Sequence, residues 1–253
     1  MQEILNQLAE GSRVLDLGCD EGSFPASRTR AATVRLDRDL PGRRDSAFVQ
    51  GDAALLPFAN ASFAAVISNH SLEHFENLDS VLREIGRVLH RDGALFVAVP
   101  DASTLTDRIY RWLGRGGGHV NPFTDAEQVA RRIERSTGLP HVATRTLWSS
   151  LSFLNRNVSP RPLPLRLWLL GGGFECVLRA YVRWSRRIDR IFGTRTGIYG
   201  WALYFGTVAE PVETEGWRNV CIRCGSGAPG EAIRGKRNYA CSKCGVINPC
   251  VSD

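Results

Sequence analysis

The stretch VLDLGCDEGSFP, residues 14–25, decides the fold class that this sequence predicts. Its apolar start indicates a buried strand, which ends near Asp16 and leads into a turn that contains Gly18 and Gly22. Glycines at such a turn let the backbone approach a ligand closely. Asp20 stands where nucleotide-binding loops usually have glycine, but aspartate is among the few other residues that tolerate left-handed backbone angles. The stretch therefore predicts a cofactor-binding loop with one unusual residue.

The chain up to residue 101 alternates between strand-like and helix-like segments. Short runs rich in Val, Ile, Leu, Ala or Phe lie at 13–17, 33–37, 47–50, 63–68 and 94–99. Alternation of this kind is typical of a parallel sheet with helices on both faces. Beyond Pro140, residues 141–154 and 198–210 have the pattern of two further strands. The sequence therefore predicts an α/β fold.

Two helices have clear boundaries in the sequence. Residues 77–93 predict a helix with one apolar stripe from Leu78 to Leu89, and Gly93 ends the turn that follows it. In the helix that FTDAEQVARRI begins, Thr124 and Glu127 predict a capping box at the start, and Gly138 predicts a glycine cap at the end.

Composition and charge narrow the class of protein. The chain has 253 residues, of which 43% are hydrophobic and 23% charged, and its formal net charge is +6. A positive balance favours anionic partners. The N-terminal MQEILNQLAEG lacks the basic start and apolar run of a secretory signal, and no stretch reaches the roughly 18 to 20 apolar residues of a membrane span. We expect a cytoplasmic protein that is able to lie at the periphery of a membrane.

Four motifs follow one another in a fixed order along the chain. They are VLDLGCDEG at 14–22, VRLD at 34–37, GDAALLPFANASFAAVISNHSLEHF at 51–75, and GALFVAVPD at 93–101. Together they resemble the class I S-adenosylmethionine-dependent methyltransferases, in the ubiquinone/menaquinone-methylase-like branch, over about residues 10–140. The resemblance implies a Rossmann-like doubly wound sheet with mostly parallel strands and an antiparallel last strand. It also implies S-adenosylmethionine as the cofactor.

The resemblance assigns cofactor roles to individual positions. The glycine turn would pass beside the methionine portion of the cofactor. Asp37, which closes the second strand, would accept hydrogen bonds from both ribose hydroxyls, as acids about twenty residues beyond such turns do. Asp52 and the amide of Ala53 would read the adenine edge, and Asn69 would lie near the transferring methyl group. The predicted cofactor-binding residues are Asp16, Gly18, Asp20, Gly22, Asp37, Asp52, Ala53 and Asn69.

Two positions depart from the family pattern, and two other interpretations compete with it. Asp20 replaces the middle glycine, and Ala64 replaces an acid. A carboxylate at residue 20 would face a cofactor that bears an ammonium and a sulfonium, so it is neutral or helpful there.

A dinucleotide-dependent oxidoreductase would favour Gly-x-Gly-x-x-Gly, and residues 52–75 match the methyltransferases better. The other alternative is a degenerate domain that no longer binds the cofactor.

Three histidines are candidates for catalysis near the predicted cleft. Methyl transfer from a sulfonium depends mainly on alignment and desolvation, and a general base is needed only for a weakly acidic acceptor. His70 follows the fourth strand, His74 lies in SLEHF, and His119 lies in GGGHVNPFT, whose glycines predict a mobile lid. Each of the three is either a catalytic base or a packing or capping histidine.

A helix inside the predicted insertion 155–197 sets this chain apart from the core family. In FECVLRAYVRWSRRIDRIF, residues 174–192, the spacing predicts an apolar stripe of Phe174, Leu178, Tyr181, Ser185, Ile188 and Phe192 beside a basic stripe of Arg179, Arg183, Arg186 and Arg190. One interpretation is a helix that packs on the sheet edge and exposes a solvated basic face. The other is a substrate cap that attracts an anionic partner, such as an acidic membrane surface or RNA.

The C-terminal tail predicts a metal site. CIRCG at 221–225 and CSKCG at 241–245 supply four thiolates with zinc-ribbon spacing, and the glycine after each pair permits a tight turn. We expect structural zinc bound by Cys221, Cys224, Cys241 and Cys244. Cys250 is a spare thiol or an occasional substitute ligand.

These patterns predict a class I methyltransferase domain over residues 1–210, which contains the basic helical insertion 155–197, and a zinc ribbon over 217–253. An acidic linker at 210–216 joins them. The expected acceptor is a small molecule, a glycan or a lipid-linked intermediate. An RNA methyltransferase that holds phosphates with its ribbon and arginines is the first alternative, and a non-catalytic binding module is the second.

Overall fold

The computed structural model describes residues 1–42, 46–113, 118–157, 174–209, 219–228 and 233–250. The chain forms two compact units. The first comprises Met1–Pro100, Gly118–Arg145 and Trp201–Thr214, and the second comprises Asp101–Gly117, Thr146–Gly200 and Glu215–Asp253. This division differs from the predicted domains 1–210 and 217–253, which stay a prediction. The predicted linker, two of the lid glycines, Gly116 and Gly117, and the insertion residues 158–173 lie outside the described residues.

Seven strands form the main sheet. They are β1 (Arg13–Leu17), β2 (Ala32–Asp37), β3 (Ala47–Gln50), β4 (Phe63–Asn69), β5 (Leu89–Pro100), β6 (His141–Trp148) and β7 (Ile198–Gly206). Their order across the sheet is β3-β2-β1-β4-β5-β7-β6. The first four apolar runs in the sequence correspond to β1 to β4. Most residues of the central strands β1 and β4 are buried, as expected for strands covered on both faces, whereas β3 lies at the sheet edge and is partly exposed.

The direction of the strands confirms the predicted fold class. β1 pairs in parallel with β2 and β4, β2 with β3, and β4 with β5. The amide of Thr207 donates to the carbonyl of Gly93 and the amide of Asp101 donates to the carbonyl of Tyr199, so β7 runs antiparallel to β5. The chain therefore has a Rossmann-like, doubly wound mixed sheet whose last strand is antiparallel.

Five described α-helices accompany the strands: α1 (Gln2–Gln7), α2 (Leu78–Val88), α3 (Leu105–Leu113), α4 (Ala126–Thr137) and α5 (Glu175–Phe192). The predicted apolar stripe of α2 is buried and packs on the sheet together with Val129 and Ile133 of α4. None of the helices in the described ranges is both long enough and apolar enough to cross a membrane.

One predicted helix cap was wrong, and one predicted stripe residue lies outside its helix. Helix α2 ends at Val88, and Leu89, predicted as the last residue of its apolar stripe, takes extended backbone angles and begins β5, which also contains the predicted turn at Gly93. The N-cap of α4 is Asp125 and not Thr124: its carboxylate accepts hydrogen bonds from the amides of Glu127 and Gln128. The predicted glycine cap at Gly138 is present, with a φ of 73°.

The second unit contains α5 and two short hairpins. β8 (Asn219–Val220) pairs antiparallel with β9 (Gly227–Ala228), and β10 (Asn238–Ala240) pairs antiparallel with β11 (Ile247–Pro249). Each hairpin encloses one Cys-x-x-Cys pair. The buried cluster of this unit brings Leu178 and Val182 of α5 together with Ile222 and Val246 of the hairpins. The ribbon hairpins therefore share a core with α5.

The faces of α5 differ from the predicted stripes. Arg186, predicted in the basic stripe, is 4% exposed: its guanidinium lies over the Trp148 ring and it donates to the Ser149 carbonyl at 3.2 Å. Ile188 and Phe192, predicted in the packing stripe, are 39% and 73% exposed. The buried face of α5 consists of Leu178, Val182, Ser185, Arg186 and Asp189.

Candidate functional site

The predicted cofactor-binding residues lie together at the carboxyl edge of the sheet in the first unit. Asp16 is in register with Arg35 of β2 and Ile67 of β4, and Asp37 ends β2 beside Gln50 of β3. The strand order reverses direction between β1 and β4, which is where open α/β sheets form their ligand crevice.

The glycine turn after β1 has the backbone angles that its sequence predicts. Gly18, Asp20 and Gly22 have φ values of 65°, 45° and 108°. A Cβ atom on Gly18 would lie 2.5 Å from the Cβ of Ser71, and one on Gly22 would lie 2.5 Å from the Arg35 guanidinium carbon. Backbone conformation favours glycine at both positions, and at Gly18 packing against Ser71 requires it as well.

Asp16 lies fully buried beneath this turn. Its Oδ2 accepts a 2.9 Å hydrogen bond from the Ser23 amide and lies 3.6 Å from Arg35 Nε. Burial raises the pKa of the Asp16 carboxyl to about 6, against the opposing effects of Ser23 and Arg35. Its second oxygen, Oδ1, has no hydrogen-bond partner within the described part of the chain. A buried oxygen of this kind is suited to a ligand ammonium.

Asp37 is tied to the loop and still partly exposed. Its Oδ2 accepts a 2.8 Å hydrogen bond from the Asp20 amide, and its Oδ1 accepts a 3.2 Å hydrogen bond from the Asp39 amide. A carboxylate has about four lone-pair sites, so Asp37 keeps acceptor capacity for ligand hydroxyls.

The remaining predicted cofactor residues follow β3 and end β4. The exposed Asp52 uses Oδ1 to accept from the Ala54 amide at 2.8 Å, which orders the turn that carries the buried Ala53. Asn69 is the last residue of β4 and is half-buried. The Gly51 amide donates to the Asp37 carbonyl at 3.0 Å, which connects the turn after β3 to the end of β2.

The three candidate histidines surround one buried carboxylate. Oε1 of Glu73 lies 4.0 Å from Nδ1 of His70 and 4.0 Å from Nε2 of His74. The His74 and His119 rings meet edge to face, with centroids 4.9 Å apart. Burial lowers the pKa of His70 to about 4, and the nearby His119 and His74 add to this shift. His70 is therefore uncharged at neutral pH.

Hydrogen bonding sets the tautomer of His74. Its Nδ1 lies 3.0 Å from the Gly118 carbonyl, which can only accept, so Nδ1 carries the proton and Nε2 keeps a lone pair in the neutral ring. Burial lowers the pKa of His74, and His119 adds to the shift while the Gly118 carbonyl opposes it. The arrangement presents a neutral imidazole with a basic nitrogen.

Asn121 connects the two segments that carry the histidines, a role that no pattern in the sequence predicts. Its side-chain amide donates to the carbonyls of Leu72 and Phe75 at 3.1 and 2.7 Å, and its backbone amide donates to the Glu73 carbonyl at 3.0 Å. Arg35 was also not predicted as a site residue, because its partners Asp16 and Phe24 are distant in sequence. Glu73 was not predicted either, although the two histidines that it approaches, His70 and His74, are its neighbours in sequence.

A separate cleft of about 430 Å³ lies between α2 and α4 and is lined by Leu78, Phe123 and Arg132, among others. It contains none of the predicted cofactor or catalytic residues.

The four predicted metal ligands converge in the second unit. The Sγ atoms of Cys221, Cys224, Cys241 and Cys244 all lie within 4.8 Å of one another. The Cys221–Cys244 and Cys224–Cys241 sulfur distances are both 3.6 Å, close to the edge of about 3.8 Å expected for a tetrahedral zinc site with bonds of about 2.3 Å.

The turns that hold these cysteines have the predicted form. Gly225 and Gly245 have φ values of 70° and 73°, and their amides donate to the carbonyls of Cys221 and Cys241. Asn248 adds an amide donor 3.5 Å from the Cys221 sulfur. The donor set of four thiolates supported by N–H groups fits zinc.

Comparison with known proteins finds similarity to methyltransferases. Residues 9–97 match the family model described as a methyltransferase domain. The chain is 29% identical over 137 residues to a malonyl-[acyl-carrier protein] O-methyltransferase of Methylococcus capsulatus, covering 48% of this chain and 50% of that protein. It is 40% identical over 101 residues to a fatty-acid O-methyltransferase of Mycolicibacterium smegmatis, covering 35% and 36%. The chain thus spans about half or less of the length of these relatives.

The fold is also found among solved structures. A crystal structure of an S-adenosylmethionine-dependent methyltransferase from Archaeoglobus fulgidus aligns with a TM-score of 0.55 at 17% identity, over 81% of this chain and 88% of that one. This likeness shows the methyltransferase-type fold.

Proposed function

We propose that this chain is an S-adenosylmethionine-dependent methyltransferase that acts on a small-molecule, glycan or lipid-linked acceptor. The observation that carries the proposal is the carboxyl edge of the sheet. There, buried Asp16 has an oxygen that no described residue hydrogen-bonds, and Asp37 is bonded to the glycine turn. Both residues lie inside the segment that matches the methyltransferase domain.

The chain's own residues fit the cofactor. Asp16 would hold the ammonium of the methionine portion, Asp37 would accept the ribose hydroxyls, and the turn with Asp52 and Ala53 would border the adenine. Asp20 would add a negative charge near the sulfonium side. When bound, the cofactor supplies an electrophilic methyl group on a good leaving group. The protein's task is then alignment and exclusion of water.

His74 is the best placed general base among the three histidines. Its Nδ1 is committed to the Gly118 carbonyl, so its Nε2 is the atom that would take a proton from a hydroxyl or amine acceptor. Because burial lowers its pKa, the ring is neutral at neutral pH and ready to accept that proton. Asn121 and Glu73 would act as positioning residues, since they hold the ring's segment in place.

The lipid-linked class is favoured among the acceptors. Two relatives are named for O-methylation of acyl compounds, a fatty acid and a malonyl acyl-carrier protein. A carboxylate acceptor is already ionised and needs no base, so on such a substrate His74 would orient the carboxylate rather than deprotonate it.

We further propose that the four cysteines bind one structural zinc ion. Four thiolates close the coordination shell and leave no position for a substrate. The metal would hold the two hairpins together, because residues 217–253 have too few apolar side chains to fold by burial alone.

Labelled cofactor tests this proposal directly. The full chain is incubated with methyl-labelled S-adenosylmethionine and fatty acids, acyl carrier thioesters, a polar lipid extract or RNA in separate reactions. We expect label in an acyl or lipid product. Label in RNA alone would support the RNA alternative, and the absence of calorimetric heat with either the cofactor or its demethylated product would support the non-catalytic alternative.

A further inference from the structure

Helix α5 and the segment of the two hairpins form an open cleft within the second unit, with a volume of about 560 Å³ and a lining of basic residues. Its basic residues come from both parts: Arg183, Arg187 and Arg190 from the helix, and Lys236 and Arg237 from the ribbon. All five are exposed. None of the described residues that line the cleft is acidic. Five positive charges around one concave surface attract anions strongly.

The same helix exposes a row of apolar side chains. Val177, Trp184, Ile188 and Ile191 are 39%, 57%, 39% and 61% exposed, and their spacing of 7, 4 and 3 residues places them on one face. The helix packs through a different face, which contains Leu178 and Val182. A continuous exposed row with a tryptophan and three β-branched residues is typical of a binding surface.

The basic cleft and the apolar row adjoin each other. At about 100° of rotation per residue, the three helical arginines of the cleft and the apolar row lie about 100° apart around the helix axis. The guanidinium of Arg187 lies 5.8 Å from the centroid of the Trp184 ring, which connects the two directly. We call the cleft and the row together the α5 surface.

We propose that the α5 surface binds the anionic headgroups of a phospholipid membrane, with the apolar row at the boundary between headgroups and acyl chains. Arginines beside tryptophan and isoleucine on one exposed helix suit this boundary, where charge meets phosphate and apolar side chains leave water. The proposal does not depend on methyl transfer.

Two other occupants fit the α5 surface less well. RNA gains affinity from arginines and stacked aromatic rings, but it gains little from Val177, Ile188 and Ile191, which have no ring for bases to stack on. A second copy of the chain, paired through the apolar row about a two-fold axis, would bring like-charged arginine rows toward each other.

Flotation with vesicles tests the proposal on the full chain. We expect binding to phosphatidylcholine vesicles that contain phosphatidylglycerol and little binding to phosphatidylcholine alone. Replacing Arg183, Arg187 and Arg190 by glutamine together should weaken binding about 100-fold at low salt, since each basic residue near an acidic surface contributes a factor of about five. A matched control replaces three exposed arginines of the first unit, Arg28, Arg30 and Arg91, and should bind like the parent.

Two further variants separate the contributions of the surface. Lys236→Gln with Arg237→Gln tests the ribbon side of the cleft, and Trp184→Ser with Ile188→Ser tests the apolar row at constant charge. Both should weaken binding to acidic vesicles, and circular dichroism confirms that each variant is folded. Equal binding to neutral and acidic vesicles, parental binding by the arginine variant, or binding only to RNA or inorganic pyrophosphate would each overturn the proposal.

Discussion

The backbone amide of Asp20 donates a 2.8 Å hydrogen bond to the carboxylate of Asp37. The residue that departs from the usual glycine loop is therefore the one that fastens the loop to the end of β2. Asp20 reaches this position with a φ of 45°, a left-handed angle that aspartate tolerates better than most residues. The substitution at position 20 is compatible with a folded, cofactor-competent turn.

Asp37→Ala should weaken binding of S-adenosylmethionine and of its demethylated product by about 1.5 to 3 kcal/mol, the scale of hydrogen bonds to a charged group. The change removes both the ribose acceptor and the anchor of the Asp20 amide. Titration calorimetry measures the loss. Asp92→Asn, an exposed acid in β5, is the matched control and should bind as the parent does; unchanged affinity of the Asp37 variant would contradict the assignment.

Gly18→Ala should destabilise the chain more than Gly138→Ala. Both glycines have positive φ, 65° and 73°, so both variants incur a backbone cost of about 1 to 2 kcal/mol. At Gly18 the new methyl would meet the Cβ of Ser71 at 2.5 Å, whereas at Gly138 no atom of the described residues lies within 4 Å. Denaturant unfolding gives the difference. Adding Ser71→Gly to Gly18→Ala should recover part of the lost stability, and no recovery would show that the contact is not the cause.

Cofactor affinity should increase with pH around the pKa of Asp16, which burial raises to about 6. Below that pH the carboxyl is protonated and must release a proton before it can pair with the cofactor ammonium. Calorimetry from about pH 5 to about pH 8 should show this rise in the parent. Asp16→Asn should bind weakly and without the pH dependence, and an identical pH profile in the variant would assign the titration to another group.

Ionisation of Asp16, which should increase cofactor affinity, should decrease folding stability. Its pKa is about 6 in the folded state and near 3.8 when solvated, so the unfolded chain ionises first as the pH rises. Between these values Asp16 lowers the free energy of unfolding, and the loss is complete above pH 6. Asp16→Asn removes this loss. Its stability relative to the parent should therefore increase from acidic to neutral pH in urea unfolding.

His74→Gln should reduce turnover of a hydroxyl or amine acceptor by about 10²-fold or more, the usual contribution of a general base. In the parent, the rate should rise with pH through a midpoint that lies below the ordinary pKa of histidine, because burial lowers the pKa of His74. His141→Gln, on an exposed histidine of β6 that bonds to Thr144, should leave the profile unchanged. A carboxylate acceptor should show a much smaller effect, since no proton is removed.

The sequence predicts the parts of this molecule that depend on local chemistry. The run ending at Asp16, the turn glycines and the paired cysteines were readable because each rule concerns neighbouring residues. The burial of Arg186 was not predicted. The sequence pattern placed it in an exposed basic stripe, and its burial depends on Trp148 of β6, which is distant in sequence. The same holds for Asn121, whose partners lie 46 and 49 residues earlier.

Helix α5 packs against the hairpins that hold the four cysteines, so the proposed metal should affect the stability of the second unit. Cys221 and Cys241 lie in the same buried cluster as Leu178 and Val182, and Arg223 donates a 2.7 Å hydrogen bond to Glu175 at the start of the helix. The sequence alone predicts that loss of the metal releases an independent tail. The packing of the hairpins on α5 predicts a larger effect, because loss of the metal would remove the surface on which α5 is packed.

We expect one zinc ion per chain and loss of protection of α5 when that metal is removed. Chelation or Cys241→Ser should open α5 to trypsin at Arg179 and Arg183, which the folded unit protects because a helix resists cleavage. Cys176→Ser and Cys250→Ser are matched controls, because both thiols lie outside the four-sulfur cluster, and both should keep zinc. The cofactor residues all belong to the first unit, so binding of S-adenosylmethionine should persist after chelation. Metal analysis, limited proteolysis and calorimetry on the same samples decide among the outcomes: a zinc-free chain with a protected α5 would remove the metal from its role, whereas lost cofactor binding would show that folding of the first unit also requires it.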